Sequence, residues 1–192
     1  RIPVVIDPDG KAIQSAHPTV IVDARMLKAA PEPLRHNAKL FIGLGPGFIG
    51  GSNCHVAIET QRGPWLGRAI WEGATQPDSG VPERVGSKHE DRALFATSEG
   101  KLIPLKAIGD LVEAGERVAE LNGQPILSPL KGVIRGLIHP EVELTLGMKI
   151  GDIDPRGDPD LCDHISDKAL AVGGGVLEAI LTKAELRPHL WN

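Results

Sequence analysis

Three small groups of residues have types and spacing suited to chemistry. His55, Glu59 and Arg62 stand close together. On a strand, residues four apart share a face, so an imidazole and a carboxylate would sit together beside a guanidinium. That set can hold and protonate an anionic substrate. Cys162 and Lys168 form the second group, a thiol whose reactivity a nearby ammonium or helix N-terminus would raise. The third is spread over loops: Asp23 and Arg25 after an apolar run, Gly45, Gly47 and Gly50 in a glycine-rich turn, and Arg156 and Asp167 farther on. These are anion- or cofactor-binding candidates. His55, Glu59, Cys162 and Lys168 are the catalytic candidates.

Gly45 to Gly50 spells G-x-G-x-x-G. The dinucleotide fingerprint requires a helix directly afterwards, and Asn53 to Glu59 reads as a strand, so that assignment fails. The loop can still offer backbone N–H groups to an anion as a nest, or it can serve as a tight crossover that needs positive φ. Cys54-His55 and Cys162-Asp163-His164 lack zinc-finger spacing, so no metal site is expected.

The elements that must position these groups follow from pattern. Thr19 to Asp23 is a continuous apolar run ending in an acid, as in a buried parallel strand. Ala38 to Leu44 is another strand, and Val4 to Ile6 and Leu66 to Trp71 are shorter ones. Lys11 to Ala16 and Arg25 to Ala30 are expected as short helices. A Pro- and Gly-rich loop runs to about Arg92. An internal repeat then appears: Gly100, Leu105, Val112, Gly115, Val118 and Leu121 recur 32 residues later as Gly132, Leu137, Leu144, Gly147, Ile150 and Ile153. Each copy reads strand, turn, strand, and two copies can bury apolar faces that one would leave exposed. Ser166 is placed to cap a C-terminal helix interrupted by Gly173-Gly174-Gly175, which either delay its start or permit close approach of another backbone.

The repeat resembles the biotinyl/lipoyl domain family, whose two halves meet at a hairpin displaying a modified lysine. Here that junction is Glu120-Leu121-Asn122-Gly123-Gln124-Pro125, without lysine. No covalent biotin or lipoyl group is therefore expected. The fold class is α+β and β-rich: an α/β part over 1–93, a barrel-sandwich hybrid over 94–154, and a loop with a C-terminal helix over 155–192.

The 192-residue chain carries a formal net charge of −4, without a basic stripe, so nucleic acid is not an expected partner. No apolar run is long enough to span a bilayer as a helix. Two distant cysteines suit a reducing cytoplasm. The sequence opens almost inside an apolar run and without Met, which suggests a shortened chain.

Longer blocks carry a second resemblance. Val22 to Met26, Ile42 to Phe48, His55 to Thr60 with Arg62-Gly63, Ile70 to Gly73, Gly151 to Gly157 and Ile165 to Glu178 look like the YqeB-type selenium-dependent molybdenum hydroxylase system proteins. Asn53 and Pro64-Trp65 depart from that pattern. The resemblance implies an accessory role in maturing xanthine and purine dehydrogenase relatives. It implies hydroxylase subunits or other maturation proteins as partners, a molybdenum-cofactor or selenium species as ligand, and an additional N-terminal Rossmann-type region. A homo-oligomer is compatible with it. The alternatives are an NAD(P)-dependent redox enzyme using that N-terminal region, and a pure protein-interaction module.

Overall fold

A computed structural model describes residues 2–27, 29–32, 37–78 and 92–189. The chain divides into two compact units, residues 1–80 with 166–192, and residues 81–165. Its class is α+β and β-rich.

The first unit is built on a four-stranded sheet. Strands β1 (Val20–Asp23), β2 (Leu40–Leu44) and β4 (Val56–Ile58) are parallel, and β5 (Ala69–Ile70) closes the edge antiparallel to β4. A ribbon of β3 (Ile49–Gly50) and β6 (Gly73–Ala74) lies in the connections. Helices α1 (Lys11–Ala16) and α2 (Asp167–Thr182) complete the unit. Strands β2 and β4 are buried on both faces, which is why they read as unbroken apolar runs, whereas Val22 of β1 is exposed. Leu40, Ile42, Leu44, Val56 and Ile58 pack with Ala179 of α2 and with Leu186, while Ile21, Phe41 and Ala57 pack with Phe48, Cys54 and Ile13 of α1. Period-2 alternation assigns each side chain to one of these two clusters.

Ser166 Oγ accepts the Ala169 N–H (3.1 Å) and caps α2. The helix runs straight through its three glycines, which play different parts. A Cβ at Gly175 would lie 2.0 Å from the Gly67 carbonyl oxygen, whereas Gly173 and Gly174 face open space. Close approach is thus confined to one of the three.

In the second unit, β8 (Leu102–Pro104), β10 (Arg117–Leu121) and β11 (Gln124–Leu127) form one antiparallel sheet. Strands β7 (Ala93–Phe95), β9 (Leu111–Val112), β12 (Gly132–Leu137) and β13 (Lys149–Asp154) form the other. Both contribute to one apolar cluster that includes Leu102, Val118, Leu121, Ile134, Ile150 and Ile153. Pairings recur at the 32-residue offset. Leu102 pairs with Leu121, and Ile134 with Ile153. Where the copies meet, the partners are exchanged: Val112 pairs with Gly132, and Gly100 with Leu144. Likewise the Gly115 N–H donates to Ser128 O (2.8 Å), and the Gly147 N–H to Ala96 O (2.9 Å). Exchange of equivalent partners is the mark of two copies related by a pseudo-two-fold axis.

Three local expectations are corrected. Val4 to Ile6 is not a strand; Val4 and Ile6 are 92% and 100% exposed and pair with no strand among the described residues. Arg25 to Ala30 is irregular at its described positions, because Asp23 engages the Arg25 backbone in a turn instead of letting a helix start. The Leu66 to Trp71 strand shrinks to Ala69–Ile70. Most of the Pro- and Gly-rich stretch before Arg92 lies outside the described residues.

Candidate functional site

Parallel strands bring their carboxyl ends to one edge, and ligands of open α/β sheets bind there. At this edge lie Asp23 at the end of β1 and Arg25 after it, Gly45 and Gly47 after β2, and Glu59 to Arg62 after β4.

Asp23 is buried, at 4% exposure, and is gripped by Arg25. Its Oδ1 accepts the Arg25 backbone N–H (3.1 Å) and Nε (3.0 Å), and its Oδ2 accepts Nη2 (2.6 Å). Burial pushes the Asp23 carboxyl up, but the hydrogen bonds and charge of Arg25 outweigh it, and the net shift is downward. The Arg25 side chain remains 42% exposed. Its bonds to Asp23 use Nε and Nη2, and the charge of Glu32 also acts on the guanidinium.

Glu59 is 1% exposed and organises loops. Its Oε1 accepts the Thr60 and Gln61 N–H groups (2.7 Å each), and its Oε2 accepts that of Gln76 (2.7 Å). Thr75 Oγ1 donates to Gly45 O (2.8 Å), which ties the same loop to the turn after β2.

The glycine turn is shaped by crowding. A Cβ on Gly45 would meet Thr60 Oγ1 at 2.7 Å, and one on Gly47 would meet Ala29 O at 2.0 Å, with φ positive at both. Three of its amides are occupied: Gly45 N–H donates to Ile58 O (3.0 Å), Phe48 N–H to Gly45 O (3.4 Å) and Ile49 N–H to Asn53 Oδ1 (2.7 Å), while Pro46 has none. Gly50 belongs to β3, where a Cβ would lie 2.1 Å from Ile70 O. The geometry is that of a crossover, and it does not present a row of N–H groups to an anion.

His55 and Glu59 are not brought together. His55 precedes β4 and Glu59 follows it, a separation of about 13 Å along a strand. The His55 Nδ1 accepts the Phe41 N–H (2.8 Å), so the ring closes the amino end of the sheet. Arg62 forms a two-pronged pair with Asp167 at the start of α2, with Nη1 on Oδ2 and Nη2 on Oδ1. This pair holds the Asp167 carboxyl well below the usual carboxylate range. Lys168 follows on α2 in the first unit, whereas Cys162 belongs to the second, where its Sγ lies 3.6 Å from Ile134 O. Burial pushes the Cys54 thiol up. Among the described residues, no group of three or more His, Cys, Asp or Glu side chains could hold a metal ion, and no helix is long and apolar enough to cross a membrane.

Arg156 lies in the second unit and repeats the Asp23–Arg25 device. Asp154, fully buried, accepts the Arg156 N–H (3.0 Å), Nε (2.9 Å) and Nη2 (2.5 Å), and Arg135 Nη1 adds a longer contact at 3.3 Å. The Arg156 hydrogen bonds lower its pKa to about 2 against the opposing effect of burial.

Sequence reasoning missed Thr75 and Gln76, which no motif marks, and the shared D-x-R spacing at Asp23 and Asp154, which a search for repeated tripeptides would have found. It also gave no ligand role to Trp65 and Trp71, although only three tryptophans occur in a chain without tyrosine.

No protein-family model and no solved structure matches the chain. Over 180 residues, 94% of its length, the chain is 40% identical to the "Uncharacterized protein YqeB" of Escherichia coli (strain K12), and it spans about a third (33%) of that relative's length. The similarity therefore extends over almost the whole of this chain and over a third of that relative.

Proposed function

We propose that this chain is an accessory module in the maturation of selenium-dependent molybdenum hydroxylases, and that it binds a small oxyanion at the carboxyl ends of its parallel strands. The first part rests on the resemblance carried by the motif blocks, of which Val22–Met26, Ile42–Phe48 and His55–Thr60 fall on β1, β2 and β4 and the turns that follow the first two. One observation carries the second part: buried Asp23 fixes the Arg25 guanidinium while the Arg25 side chain stays 42% exposed. An ion-paired guanidinium offers little net charge, so recognition rests on the planar N–H geometry that suits oxyanions. Candidate ligands are molybdate, an oxyanion of selenium, or a phosphate of the molybdenum cofactor.

The second unit is read as a barrel-sandwich of the biotinyl/lipoyl kind serving as a scaffold. Its exchanged two-fold pairings support this. So does its junction, where Asn122 bends back so that Nδ2 donates to Glu99 O (2.7 Å) and Ser98 Oγ (3.1 Å). Lys131, the nearest lysine after the junction, pairs with Glu113 (2.7 Å).

Calorimetric titration with molybdate, selenite and phosphate tests the oxyanion site. At least one should bind with Kd below about 1 mM, and Arg25→Ala should weaken it at least roughly ten-fold. Absence of saturable binding, or an unchanged affinity in the variant, refutes the reading.

A further inference from the structure

A second concavity in the first unit has a composition unlike the rest of the chain. It is a groove of about 490 Å³ whose lining includes Glu59, Trp65, Arg68, Trp71, Glu72 and Gln76. Two of the chain's three tryptophans meet here, and Trp65 is 54% exposed. An exposed indole on a groove wall is a stacking platform.

The charges around the rings narrow the ligand. The Arg68 guanidinium lies 5.0 Å from the Trp65 ring centre, and Lys183 Nζ lies 5.0 Å from that of Trp71. Each ring already has a cation beside it, so a cationic guest would meet like charge. A planar neutral ring with an anionic tail faces no such conflict: the ring stacks on Trp65 and the tail meets Arg68. The Gln76 backbone is pinned by Glu59 Oε2 (2.7 Å), which fixes the origin of an amide side chain able both to donate and to accept at a ring edge. Glu72, exposed on the wall, is suited to sugar hydroxyls, as acidic residues are in other nucleotide sites.

We propose that the groove lined by Trp65, Arg68, Glu72 and Gln76 binds a nucleotide-like ligand, a planar heteroaromatic ring joined through a sugar to a phosphate. The assignment does not depend on the oxyanion reading, which uses Arg25, a residue outside this groove.

Equilibrium dialysis of the full chain against AMP, GMP, adenosine and ribose 5-phosphate tests it. AMP or GMP should bind saturably, and adenosine several-fold more weakly. Ribose 5-phosphate should not compete. Trp65→Leu should weaken nucleotide binding roughly ten-fold, with the fold checked by circular dichroism. Arg68→Gln should reduce AMP affinity to that of adenosine. Arg25→Ala should leave nucleotide binding unchanged, and Trp65→Leu should leave oxyanion binding unchanged. The proposal is overturned if neither nucleotide binds, if ribose 5-phosphate competes as well as AMP, or if folded Trp65→Leu binds as tightly as the original chain.

Discussion

Adjacent glycines on α2 provide a paired test of the packing that seats the candidate site. Gly174→Ala adds a methyl to a face where nothing lies within 4 Å. Alanine is favoured over glycine in a helix interior by about 0.5–1 kcal/mol, so this variant should gain that amount. Gly175→Ala carries the same propensity gain. Its Cβ, however, would sit 2.0 Å from the Gly67 carbonyl oxygen and 3.1 Å from Ile58 Cγ2. The first of these is a backbone atom and cannot rotate aside. Moving the helix outward loosens its contacts with β2, β4 and β5, and overpacking of this kind costs about 1–3 kcal/mol. After the propensity gain is subtracted, the expected net loss is about 0–2.5 kcal/mol against the original chain and about 1–3 kcal/mol against Gly174→Ala. Urea unfolding followed by helical circular dichroism measures both variants, with a melting shift of about 2–4 °C per kcal/mol as a second readout. Gly175→Ala as stable as Gly174→Ala would refute the close approach of α2 to Gly67.

Other expectations follow from the buried charges and thiols. The folded pKa of Asp154 is depressed to about 2, so its stabilisation is complete above the unfolded value near 4 and is lost as pH falls toward 2; Asp154→Asn should remove about 2 kcal/mol of that acid-side dependence in denaturant melts at pH 2 to 6. Cys54 is buried and its thiol is pushed up, whereas Cys162 is only partly covered, so a thiol reagent at pH 8 should label Cys162 first and Cys54 only on unfolding. The Arg62–Asp167 pair is exposed on the Asp167 side (74%), and Arg62→Gln should cost less than about 1 kcal/mol, an effect that 0.5 M salt largely removes; roughly equal melts in low and high salt would contradict it.

Much of the architecture is legible in the chain because burial leaves a period. Leu40–Leu44 and the second-unit repeat are examples: continuous apolar runs demand cover on both faces, and a fixed offset demands two like structures. The first residues show the limit of that reasoning. Val4 to Ile6 has strand composition, but a strand also needs an edge to pair with, and composition says nothing about edges. Within the site, spacing assigns a face but not an end. His55 and Glu59 have same-face spacing, and β4 runs between them. The glycine turn illustrates a different loss. Glycines chosen for crowding by Thr60 and Ala29 look, in sequence, the same as glycines chosen to cradle a phosphate, because the crowding atoms come from distant segments. Asp23 and Arg25 were readable since their partnership is local, two residues apart, and needs only an Asx-type turn.

The proposed role can be tested where it would act, in cells lacking the full-length protein. Selenium content and activity of a purified molybdenum hydroxylase are the quantities to measure, with the hydroxylase polypeptide quantified alongside. The account predicts normal amounts of polypeptide that is poor in selenium and in activity, restored by the original sequence and not by Arg25→Ala. Full selenium content and activity without the protein would contradict it.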